Sequence, residues 1–168
     1  MRREHASRKR FGSRLMLTLL GIIIVLILVG FGGIHHATSP VTKAKAQSVS
    51  IARKYAGLKT TDGFYWTNLD DTYYTVAGQN AQNQSVYIIV PQKGGNVRVL
   101  QQKNGLSRNQ ALSRVWSKHN PKKVLSAALS VFNGHPAWVV SYMNHKGQLC
   151  YETLGFKSGK VLQSIENI

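Results

Sequence analysis

The feature that most constrains the fold is an internal repeat. The two halves of the chain beyond residue 34 superpose with one constant offset of 64 residues and no gaps. Tyr74 then falls on Trp138, Val76 on Val140, Gln84 on Gln148 and Tyr87 on Tyr151. Lys93 falls on Lys157, Gly95 on Gly159, Val97 on Val161, and Ile51 on Val115. Aromatic, turn and valine positions that coincide in one register indicate a duplicated structural unit. Each copy has about 60 residues, a marginal size for folding alone, so the two copies are expected to share an interface.

The content of each copy follows from its periodicity. From Val41 the apolar residues Ala44, Ala46, Val49, Ile51, Ala52, Tyr55 and Leu58 recur at spacings near three and four, which predicts a helix. Ser39-Pro40 is a suitable start and Gly57 a suitable stop. Runs rich in Tyr, Val, Ile and Thr follow: FYWTNL, TYYTVAG, QSVYIIVP and NVRVLQQ. Gly, Asn, Asp or Pro bounds each run, as expected of strands joined by tight turns, Lys93-Gly94-Gly95-Asn96 being the clearest. The order then restarts. Ser107 is placed to cap a helix carrying Ala111, Leu112, Val115 and Trp116 on one face, and Asn120-Pro121 ends it. The runs KVLSAALSVF, AWVVSYM, QLCYETLGF and KVLQSI follow, with turns at Asn133-Gly134, Lys146-Gly147 and Ser158-Gly159. The predicted fold is α+β: two tandem units, 35–104 and 105–168, each one helix packed on an antiparallel four-stranded sheet.

Residues 15–34 (LMLTLLGIIIVLILVGFGGI) carry no charge. Twenty helical residues span about 30 Å, the thickness of a bilayer's hydrocarbon core. Upstream, residues 1–14 hold Arg2, Arg3, Arg8, Lys9, Arg10 and Arg14 against Glu4. The positive-inside rule assigns that tail to the cytoplasm and the repeated units to the outside of a single-pass membrane protein. A cleaved signal peptide is the rival reading. Its best site, Ala44-Lys45-Ala46, lies about ten residues past an apolar stretch longer than a usual signal core, which favours an uncleaved anchor.

The chemistry available outside is sparse. Cys150 is the single cysteine, so an internal disulfide is impossible, and it is expected as a small core residue. Asp70-Asp71 reads as a solvated turn. His119, His135 and His145 fall at element ends or turns, and no pair has metal-ligand spacing, so they read as solvated loop residues. GxSxG, SxxK and P-loop patterns are absent, and Ser126, Ser130 and Ser141 lie in strand patterns without an evident base. A non-enzyme without cofactor or metal is expected. The aromatics Tyr65, Trp66, Tyr73, Tyr74, Trp138, Tyr142 and Tyr151 sit at core-like spacing and are expected to pack within and between the units.

The net charge of the chain is +16. Lys43, Lys45, Arg53 and Lys54 lie on the first predicted helix; Arg108, Arg114, Lys118, Lys122 and Lys123 lie on or just after the second. These nine form a candidate contact surface for something anionic: acidic lipid, wall polymer or an acidic protein. Nucleic acid is disfavoured for units outside the cell.

An anchor followed by two helix-plus-sheet units resembles the YpmB/TseB-like cell wall elongation regulators of Gram-positive bacteria. The resemblance rests on TYYTVAG (72–78), VYIIVPQKGG (86–95), GLSRNQAL (105–112), the 121–124 stretch PKKV, and above all residues 137–168, which also look like a PepSY unit. It implies tandem cystatin-like domains and a non-enzymatic extracytoplasmic role, in which the protein binds a membrane-bound wall synthase such as a penicillin-binding protein. A PepSY-type inhibitor or chaperone of an extracellular protease, or a binder of anionic wall polymer, is the alternative. The strongly basic outer part departs from the pattern.

Overall fold

The computed structural model describes residues 20–26 and 40–166. Of the expected membrane span, residues 20–26 are helical and the remainder lies outside the described residues, as does the basic tail 1–14. Among the described residues, no helix is long and apolar enough to cross a membrane.

Ala44–Ile168 is one compact unit containing both repeats. Helix α1 (residues 40–56) leads into β1 (Gly63–Asn68), β2 (Thr72–Gln79), β3 (Ser85–Pro91) and β4 (Arg98–Gln101). A 3-10 turn, Gln102–Asn104, connects to α2 (Arg108–His119). The strands β5 (Lys123–Phe132), β6 (His135–Met143), β7 (Leu149–Gly155) and β8 (Val161–Ile165) complete the order. Each set of four strands forms an antiparallel meander in sequence order. The α+β architecture thus matches the periodicity, and the repeat is structural.

The helix ends have local causes. Gly57 takes φ +60 and stops α1 in a conformation that costs glycine little. Ser107 caps α2: its Oγ accepts from the Gln110 amide at 3.2 Å, and the Gln110 side chain accepts from the Ser107 amide at 2.8 Å. Asn120 leaves α2 in the left-handed region, φ 43. Two other turns repeat atom for atom. Asn80 Oδ1 accepts from the amides of Gln82 and Gln84, and Asn144 Oδ1 accepts from those of Lys146 and Gln148, again 64 residues apart.

Side-chain alternation divides the first sheet into two faces. Tyr74, Val76, Val86, Ile88 and Val90 join Ala44 and Ala52 of α1 in one core. The buried stripe on α1 is Ala44, Ser48 and Ala52, four residues apart. This corrects the predicted inward face, because Tyr55 is 66% exposed. Tyr87, Ile89 and Ala77 point to the opposite face, where they join Ala111, Val115, Leu129, Trp138, Val140 and Phe156 in a second core. Trp138 is its centre. The ring is fully buried, it meets Tyr65 and Tyr87 edge-on, with centroids 5.8 and 5.5 Å away, and its Nε1 donates to Leu106 O at 2.8 Å. The expected packing of aromatics between the repeats is therefore realised at Tyr65 and Trp138, and Tyr87, not among the aromatics expected there, joins them. Trp66, in contrast, is half exposed.

Candidate interaction surface and a buried charge cluster

The nine basic residues named from the sequence divide into two groups. Lys43, Lys45, Arg53 and Lys54 are exposed on α1, and Lys122 and Lys123 are exposed after α2. The other three donate inward. Arg108 Nε reaches Ala127 O at 3.3 Å, Arg114 reaches Gly159 O at 2.6 Å, and Lys118 Nζ reaches Glu152 Oε2 at 2.9 Å. All nine nonetheless keep exposed surface, four of them on α1. Neither α1 nor the segment from Gln92 to Gln101 contains an acidic residue, and Lys93 of that segment takes its partner, Asp71, from the turn just before β2.

Glu152 is the chemically unusual group. It lies on β7 and is 1% exposed, yet it carries a carboxylate into the space beneath α2. Lys118 and His119, in the last turn of that helix, both bond its Oε2. His119 Nδ1 lies 3.8 Å from Glu166, and its ring lies 5.2 Å from that of Tyr142. The expectation of a solvated His119 is therefore corrected: the helix ends just where its imidazole can cover the carboxylate. A buried charge needs such partners to offset its desolvation. His135 and His145 are exposed, as expected. Burial, and then the neighbouring Cys150, Glu166 and Glu152, push the Tyr142 hydroxyl up to about 12. Sequence reasoning missed the cluster, although one signal was available: the offset of 64 places Glu152 on Ile88, an inward strand position.

The remaining candidates are structural. Cys150 is buried. Ser130 shares a hydrogen bond with Thr67 across the two sheets, and Ser126 shares one with Ser141, both at 2.7 Å. Asp71 pairs with Lys93 at 2.9 Å on the exposed turn. Among the described residues, no group of three His, Cys, Asp or Glu side chains could hold a metal ion.

Residues 47–91 match the family described as the cell wall elongation regulator TseB-like domain. Over 149 residues, 88% of this chain and 92% of the relative, the sequence is 23% identical to the "Probable cell wall elongation regulator TseB" of Bacillus subtilis (strain 168). The fold is similar to that of the YpmB protein from Bacillus subtilis, with a TM-score of 0.64 and 23% identity over 72% of this chain and 95% of that one. These matches bear out the YpmB/TseB-like resemblance carried by the strand and turn residues. The family is described as a regulator, in agreement with a non-enzyme.

Proposed function

We propose that this YpmB/TseB-like protein regulates cell wall elongation from the outer face of the cell membrane, by binding a membrane-bound peptidoglycan synthase of the penicillin-binding class. The similarity over 88% of the chain to a relative named for cell wall elongation carries this reading. The uncharged run 15–34, preceded by six basic residues, supports a single anchor with the N-terminus in the cytoplasm. The exposed basic residues of α1 support a binding face outside it.

Deletion of the gene should change cell length. Photo-crosslinkers on exposed positions of α1 in living cells should join the chain to a transpeptidase identified by mass. Normal length together with no transpeptidase adduct would sink the proposal. The same exposed lysines and arginines support a second reading, attachment to anionic wall polymer. Its mark is affinity that falls steeply with salt, since such binding is largely Coulombic.

A further inference from the structure

The two repeats differ in how the turn before their last strand is covered. In the second, Arg114 on α2 reaches across to the turn between β7 and β8 and donates to Gly159 O. A Cβ on Gly159 would collide with that guanidinium. The offset of 64 maps this pair onto Ser50 and Gly95. Ser50 is exposed and too short to reach the turn, and a Cβ on Gly95 would meet only the Pro91 ring, at 3.6 Å. Gly95 of the first repeat instead lines an open groove of about 630 Å³.

Ile51, Tyr55, Val90, Pro91, Val97 and Val99 line this groove. Tyr55 and Val99 are 66% and 48% exposed, and β4, which carries Val99, is an edge strand. Lys54 is exposed beside it, its Nζ 5.2 Å from the centre of the Tyr55 ring. The side chains lining it are mostly apolar, with Lys54 at the rim, while Lys93 in the β3–β4 turn is paired with Asp71 at 2.9 Å.

We propose that the groove is the docking site for an acidic segment of a partner protein, which seats an apolar side chain between α1 and the β3–β4 connection. The apolar side chains exclude water from the inserted side chain, and the exposed ammonium of Lys54 at the rim favours acidic flanking residues. The inference deepens the reading above by assigning a face and a chemistry to the partner, and it rests on that reading only for the partner being a protein.

The test uses the full chain in detergent micelles, with isotope-labelled methyl groups, and three short synthetic peptides. One flanks a Phe-Leu pair with Glu and Asp, one replaces the pair by Ala-Ala, and one replaces the acids by Lys. The acidic Phe-Leu peptide should shift the Ile51, Val97 and Val99 methyl signals. Ser50→Arg, which reproduces the plug of the second repeat, should weaken that binding about tenfold or more. Val99→Asp, at an exposed position, should do the same by repulsion and serves if Ser50→Arg perturbs the fold. Equal shifts with the Ala-Ala or Lys peptide, no shift at millimolar peptide, or unchanged binding in both variants would overturn the proposal. So would the same shifts produced by phosphatidylglycerol vesicles, or by raising the protein concentration alone, which would assign the groove to lipid or to a second copy. A deletion phenotype in cell length with a groove that ignores the acidic peptide would keep the regulatory reading and remove this one.

Discussion

Glu152 stands where the first repeat carries Ile88, and the two residues show what a buried charge requires. Ile88 needs only neighbours to pack against. Glu152 needs Lys118 and His119, which the end of α2 delivers to one oxygen. Lys118 is half exposed, so solvent screens it, and Lys118→Ala alone should cost about 1 kcal/mol or less. Removing both partners, by Lys118→Ala with His119→Ala, leaves the carboxylate buried and uncompensated and should cost about 3–5 kcal/mol. Glu152→Ile copies the first repeat and leaves Lys118 in contact with solvent, so it should cost less than the double alanine. Urea unfolding of the three variants checks the set; a Glu152→Ile variant less stable than the double alanine would refute it. The inward position of Glu152 was legible from strand alternation. Its partners were not, because they depend on where helix and sheet meet.

Tyr142 makes a related prediction about pH. Burial favours its neutral form, so its folded hydroxyl titrates near 12 and its unfolded one near 10. Between those values the unfolded chain has lost the proton and the folded chain keeps it, so stability falls as pH rises. The contribution is fully present below pH 10 and is lost as pH passes through about 12. Tyr142→Phe removes this group from the balance, and its alkaline unfolding limb should be shallower than that of the parent when followed by circular dichroism. An identical alkaline limb would place the loss in other groups.

At the scale of elements, the repeat is conserved in its centre and slips at its edges. The β2–β3 and β6–β7 pairs keep one register: Tyr74 faces Val90 and, 64 residues on, Trp138 faces Leu154. The flanking pair does not. Phe64 faces Val76, but Val140 faces Ala127 rather than Ala128. Turn geometry explains the slip. Three residues join β1 to β2, whereas β5 and β6 meet through the two-residue Asn133-Gly134 turn, whose φ values of 47 and 76 suit a tight hairpin. A gapless alignment of residue identities reveals the copies and their strands, but pairing register is set by turns and bulges that identities do not encode. The Asn80 and Asn144 turns anchor the two hairpins that kept register. Asn144→Ala and Asn80→Ala each leave two backbone amides without their side-chain acceptor and should cost about 1–2 kcal/mol apiece. Chemical denaturation should show similar losses for both. A loss confined to one would mean that the shared geometry does not carry equal weight in the two sheets.

At the scale of the molecule, the question is whether the copies fold as two bodies or one. Their size argues against independence, and their contacts explain how they avoid it. The first sheet uses both faces, one for α1 and one for the second repeat. Trp138 gathers Tyr65 and Tyr87 from the first repeat and the Leu106 carbonyl from the connection. Thr75 adds a bond across the boundary, donating to Leu129 O at 2.8 Å. Cutting these contacts should therefore weaken both sheets together. Trp138→Ala removes the largest fully buried side chain and should cost about 3–5 kcal/mol. Hydrogen exchange should then show faster opening of β2 and β3 as well as of α2 and β6, with a single unfolding transition. Loss of protection only in the second repeat, or two separated transitions, would show that the shared core does not couple the copies. A coupled molecule is the arrangement in which a partner seated against α1 is held by a rigid surface, since that helix rests on a sheet whose other face is fixed by the second repeat.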